Sequence, residues 1–361
     1  MISYPLLERN ATIGVTAPSS GVSEEHHSLL ESALKRMEEK SFQVVTGKTL
    51  WTQDKEKSGP ARKRADEFNQ MMQDENIQMI FPPWGGELLI EILDFVDFDA
   101  LQPKWIVGYS DISTLLLAVT LKTGIATAHG TNLIDLRGEY LDETTAMWES
   151  VLKTREGESI LQQPSEKYQK EWPHEHSSSS VFHLTEPTNW QSVSGDAVRM
   201  KGRLLGGCID TISHLIGTPY GDVQSFKRKY NDGKPILWFL ENCELSSVDL
   251  RRSLVQMKLA GWFDGSSGIM FGRSAAEDLL DYKMKDVYED LSKELKLPIL
   301  YDIDCGHVPP QLTLINGAYG MATVFLTNFI RCRTSFRMLF RLSLTMSLLG
   351  CDDLRQELTV K

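Results

Sequence analysis

The sequence predicts an α/β protein, with an N-terminal domain built on a parallel sheet and a second, smaller domain of mixed α and β structure. Short runs rich in Ile and Val alternate with helical patterns through the first half, as strands covered by helices do. A chain of 361 residues, 41% hydrophobic and 24% charged, buries a full core and is too long for a single typical one. Between about 160 and 190 the composition turns to Gln, Ser, Glu, His and Pro (QQPSEKYQKEWPHEHSSSS), the signature of a solvated linker.

In chain order, strands are expected at Thr12 to Ala17, Phe42 to Thr46, Met79 to Phe81, Trp105 to Gly108 and Ile125 to His129. In the first helix Ser23 serves as cap, Glu24 and Glu25 suit the positive end of the dipole, and Leu30, Ala33, Leu34 and Met37 share one face. A second amphipathic helix starts near Asp111. Beyond the linker, strands follow at Ile236 to Leu240, Ile269 to Phe271 and Ile299 to Ile303, with helices near 246–260 and 283–295. The expected partition is 1–165, a linker at 166–195, a C-terminal domain at 196–326 and an atypical tail at 327–361. In that tail Arg331, Arg333, Arg337 and Arg341 thread through apolar residues, which suggests either an amphipathic helix lying on a partner or membrane surface, or a segment that does not pack. No repeat of fixed period is present.

Several function classes are disfavoured. A net charge of -11 without a basic stripe argues against binding a nucleic-acid backbone. No signal-peptide pattern and no apolar run of roughly 18 to 20 residues occurs, so a cytoplasmic protein without a membrane span is expected. The five cysteines (Cys208, Cys243, Cys305, Cys332, Cys351) are odd in number and lack a C-x-x-C pair, which favours free thiols over disulfides or a zinc knuckle. Neither metal nor cofactor is expected.

The chemistry centres on Trp105-Ile-Val-Gly-Tyr-Ser-Asp, which runs from a buried strand through Gly108 into a helix. A serine on such a turn lifts its hydroxyl clear of the sheet, beside backbone N–H groups that favour an anion. The plain alternative is that Ser110 is a helix cap. Gly85 and Gly86 follow the strand ending at Phe81 and let backbone donors approach a ligand, or simply make a tight turn. A serine needs a base held by a carboxylate. Among eight histidines, His26, His27, His174, His176 and His183 lie in polar contexts, and His129 and His214 suit core or supporting positions. His307 follows a strand in CGHVPP, where site residues of α/β proteins reside. Glu241 ends the apolar run Ile236-Leu-Trp-Phe-Leu, where a charge demands a partner; Glu244, Asp249 and Asp304 are rivals in contexts expected to be more exposed or helical.

Taken together, GVTAPSSG, WGGELLIEIL, GYSDIST, KGRLLGG, the apolar run into LEN, and CGHVPP resemble the peptidase family of LD-carboxypeptidases and microcin C immunity proteins, in consistent order from about residue 10 to 325. The resemblance implies an amidotransferase-like N-terminal sheet, a homodimer, and a triad of Ser110, Glu241 and His307. It also implies an oxyanion hole from the N–H groups of Gly86 and Asp111, with Gly85 beside the substrate. The longer insert ending in Trp190 resembles the immunity branch, in which an aromatic ring stacks on the nucleobase of a peptidyl or aminoacyl nucleotide; Trp190 is equally suited to covering the domain interface. Cys208 stands where the family has Asn, LEN replaces an acidic pair, and the tail does not match. The expected substrate is therefore a small peptide or peptidyl nucleotide. Trimming of D-Ala from murein tetrapeptides is the enzymatic alternative, and a non-catalytic nucleotide-binding protein the alternative of another class.

Overall fold

The computed structural model describes residues 1–170, 180–329 and 333–343. Five strands of the first half, Gln43–Thr46, Thr12–Val15, Ile77–Ile80, Trp105–Gly108 and Thr127–His129, lie parallel in that spatial order. The Ile and Val side chains of the inner strands are buried by helices His27–Glu39, Ala61–Gln73 and Ile112–Thr123, while on the edge strand Val44 is half-buried and Val45 exposed. In the first of these helices Leu30, Ala33 and Met37 are buried, as the spacing requires, while Leu34 is half-buried. Ser23 does not cap it. A short 3-10 turn, Glu24–His26, precedes the helix, and Ser23 Oγ pairs instead with His26 Nδ1 at 2.9 Å.

Among the described residues the second sheet has eight strands. Val198–Cys208, Ile236–Glu241, Ser266–Gly272 and Ile299–Ile303 form a parallel centre. Gln191–Ser192 closes one side antiparallel; Tyr319–Phe329, Arg333–Ser343 and Ser159–Gln162 extend the other. Two segments cross the partition expected from sequence. Residues 159–162 join the second sheet, and Leu314–Asn316 returns to the first, antiparallel to Thr127–His129.

The tail expectation is corrected over 333–343, which form a strand and not an amphipathic helix. A sheet edge presents unpaired N–H and C=O groups, and this segment satisfies those of Tyr319–Phe329 along its whole length. Arg331, residues 344–361, His174 and His176 lie outside the described residues.

Helix Ile112–Thr123 also departs from expectation. Every residue from Ile112 to Leu121 is buried, because the helix is packed between strands of both sheets and has no solvent face to make polar. This sandwiched helix brings the ends of the two parallel sheets together.

Candidate active site

In open α/β sheets the carboxyl ends of the strands leave crevices for ligands. Here two such ends converge. Trp105–Gly108 ends at Tyr109 and Ser110; Val198–Cys208 and Ile236–Glu241 end side by side with Cys208 in register with Glu241; Ile299–Ile303 leads to His307.

Ser110 holds φ at 62°, a left-handed conformation costly for a residue with a side chain. The turn is fixed from both sides: Tyr109 N–H donates to Asn132 Oδ1 at 3.2 Å, and Ser113 N–H donates to Ser110 O at 2.9 Å. Asp111 occupies the N-cap position of the buried helix.

Gly85 and Gly86 lie directly against this elbow. A Cβ on Gly85 would stand 2.8 Å from Ser110 Oγ and 3.0 Å from Asp111 N, and one on Gly86, at φ 139°, 2.2 Å from Ser20 Oγ. The glycines are thus required by close approach. Neither Gly86 N–H nor Asp111 N–H donates to an acceptor among the described residues, so both remain available to a ligand. The Asp111 carboxylate ties the surroundings together, accepting from Ser19 Oγ at 2.5 Å and Leu89 N at 2.8 Å. Burial pushes its pKa up to about 6 against those hydrogen bonds. Arg64, fully buried, donates to Pro18 O, Leu88 O and Glu91, clamping the two loops that flank the glycines.

Glu241 is fully buried, and its Oε2 accepts from His307 Nδ1 at 2.9 Å. Gly306, at φ 95°, permits this contact, since a Cβ there would meet Glu241 Oε2 at 2.4 Å. Burial disfavours charge on both partners. The carboxylate nevertheless pushes His307 well above the usual imidazole range, and His307 holds Glu241 below the usual carboxylate range. The Tyr109 ring packs edge-on against His307 with centroids 5.0 Å apart, linking the pair to the residue preceding Ser110. Cys243 adjoins His307 and Cys208 adjoins Glu241, and the Cys208 thiol donates to Asp210 Oδ2 at 3.6 Å. Ligand atoms of Cys208, Glu241 and His307 lie within 4.8 Å of one another. At the rim, burial and the charges of Glu244, Glu56 and Asp210 push the Glu87 carboxyl up, with His307 opposing them.

Other expectations are revised. Trp190 is 1% exposed, with its Nε1–H donating to Asp304 Oδ2 at 2.9 Å, so it offers no open face for base stacking. Asp304, expected to be exposed, is fully buried and also accepts from Arg273 at 2.5 Å and from Ser165 Oγ at 2.6 Å. This network braces the loop carrying His307 rather than supplying its carboxylate partner, because Arg273 also reaches Val308 O at 3.4 Å. Glu244 is exposed, and Asp249 is on a helix paired with Arg252. His214 is exposed in a 3-10 turn, not within a core. His129 is fully buried beside Phe239, and burial pushes its pKa down to about 4. Tyr109 and Cys243 escaped the sequence reading; adjacency to Ser110 and to the LEN segment was the only signal for them.

Comparison with known proteins agrees with this fold. The LD-carboxypeptidase N-terminal domain matches residues 13–130 and the LD-carboxypeptidase C-terminal domain residues 201–321. The microcin C7 self-immunity protein MccF of Escherichia coli is 28% identical over 333 residues, 86% of this chain and 91% of that protein. A Bacillus subtilis (strain 168) protein named "Probable murein peptide carboxypeptidase" is 26% identical over 318 residues, 86% of this chain and 88% of that protein. MccF solved in complex with aspartyl sulfamoyl adenosine shares the fold, with a TM-score of 0.76 at 24% identity over 89% of this chain and 95% of that one. The two family domains span most of the sequence, and the chain belongs to the LD-carboxypeptidase family of serine peptidases.

Proposed function

We propose that the protein is a serine hydrolase that cleaves an amide-type bond of a peptidyl or aminoacyl nucleotide through an acyl-enzyme. The observation that carries this reading is the buried Glu241–His307 pair at 2.9 Å, whose imidazole packs on the residue preceding Ser110. Ser110 Oγ attacks the carbonyl carbon while His307 takes its proton; the oxyanion is held by the N–H groups of Gly86 and Asp111. Collapse expels the amine, which receives the proton from His307. Water, deprotonated by the same imidazole, then attacks the ester and releases Ser110. Glu241 fixes the ring and stabilises the imidazolium.

The nucleotide branch draws support from likeness to MccF, which has been solved with aspartyl sulfamoyl adenosine bound; Trp190, being buried, adds nothing to it. Likeness to the Bacillus subtilis protein favours murein tetrapeptides as the second reading. Incubating the pure protein with an aminoacyl sulfamoyl adenosine and, separately, with a muramyl tetrapeptide tests the choice. Release of free amino acid from the first alone is expected, and release of D-Ala from the second alone would reverse the assignment. As part of the same reading the enzyme works in the cytoplasm as a homodimer. Cys208, Cys243 and Cys305 are free thiols, which suits a reducing compartment. Among the described residues no helix is long and apolar enough to cross a membrane.

A further inference from the structure

We infer that Cys208, Glu241 and His307 form a binding site for a divalent cation of the zinc class, and that filling it switches the hydrolase off. The metal-binding inference stands on geometry and donor chemistry alone; the switching rests on the proposed roles of Glu241 and His307.

The three residues come from three different strand ends. Cys208 and Glu241 are cross-strand neighbours in register, and the loop after Ile299–Ile303 lays His307 against them. Widely spaced cysteines argue against a zinc site only while sequence spacing stands in for spatial distance; pairing of the strands removes that objection. Thiolate, imidazole and carboxylate are the donor set that zinc prefers. Ligand bonds of about 2.0–2.3 Å place tetrahedral donors roughly 3.3–3.8 Å apart, so atoms already within 4.8 Å need only small side-chain movements.

A second observation points the same way. Glu241 Oε1 is buried with no partner at hydrogen-bond geometry, an acceptor left over after Oε2 has taken His307. Such a group is costly in a protein interior, and a cation satisfies it. Around it stand Asp210, whose Oδ2 lies 3.6 Å from Cys208 Sγ, and the acidic rim of Glu87, Glu244 and Glu56. His307 is the cation that opposes them there.

On binding, the Cys208 thiol gives its proton to solvent and one nitrogen of the neutral imidazole gives its lone pair to the metal, the ring's single proton standing on the other nitrogen, with no change of oxidation state. His307 then has no lone pair for Ser110. The Asn that the family resemblance leads one to expect at position 208 offers no thiolate, so the site would be particular to chains carrying cysteine there.

Cobalt(II) is the probe, because a thiolate ligand gives it a charge-transfer band in the near ultraviolet. Titrating the metal-free full-length protein with Co²⁺ should give this band with a one-to-one endpoint, and added Zn²⁺ should displace it. Cys208→Ser should lose the band and weaken Co²⁺ binding at least tenfold, while its circular dichroism stays native; Cys208→Asn provides a second variant should serine disturb folding. Ser110→Ala should keep the band, so the metal site is read independently of the nucleophile. In turnover, Zn²⁺ should inhibit the wild type with the saturation seen in binding, and a chelator should restore it. Absence of the band, or its survival in a folded Cys208 variant, would overturn the site. Binding without inhibition would overturn the switch.

Discussion

The two halves of the candidate site are built in opposite ways. At the elbow, Ser110 is shaped by backbone geometry: a left-handed φ, two glycines in contact, and an apolar helix locked between sheets. At the other half, Glu241 and His307 are held by charge, a buried carboxylate and a raised imidazole pKa supported by a polar network around Asp304. The first half stores strain and the second stores desolvation. The elbow should therefore fail when a side chain is added, and the charged half when a partner is taken away.

The largest effect is expected from Ser110→Ala, which removes the attacking atom and leaves the scaffold. Turnover should fall by roughly 10⁴-fold or more while the melting temperature stays within a few degrees. Glu241→Gln comes next, with a loss on the order of 10³- to 10⁴-fold. It also tests the electrostatics. His307 must be neutral to accept the serine proton, and Glu241 pushes its pKa well above the usual imidazole range. Wild-type kcat/KM should thus fall as pH drops through that raised value, and the acid limb of Glu241→Gln should move to lower pH.

Arg273→Ala probes the bracing network and not the chemistry. It leaves the fully buried Asp304 carboxylate without its cation, a change that costs about 3–5 kcal/mol in chemical denaturation. Gly86→Ala tests the steric half: its new Cβ would stand on Ser19 and Ser20, displacing one of the two proposed oxyanion donors. A loss of roughly 10²- to 10³-fold in kcat, with binding of a product analogue nearly unchanged, is the expected signature.

This contrast also explains what was legible in the sequence. The elbow is local: Trp105 to Asp111 are contiguous, and a glycine between an apolar run and a helix announces the turn. Glu241 and His307 were each legible as a charge at the end of an apolar run and a histidine at a strand end. Their meeting is a property of strand order. What stayed hidden was nonlocal. Trp190 stayed open between a stacking ring and a cover for the domain interface because its polar neighbours are visible while its acceptor, Asp304, is 114 residues away. Helix Ile112–Thr123 read as amphipathic because nothing local says that sheets cover both of its sides. Residues 333–343, with arginines threaded through apolar residues, left a surface helix and an unpacked segment open, whereas the edge of Tyr319–Phe329 draws them into a strand.

The central claim, a serine made reactive by a histidine from the other half of the chain, is tested most directly by labelling with a fluorophosphonate, followed by peptide mass spectrometry. A single adduct on Ser110, absent from His307→Ala although that variant keeps its native circular dichroism, is the predicted result. An adduct on a different residue, or Ser110 labelling as fast in His307→Ala as in the wild type, would contradict it.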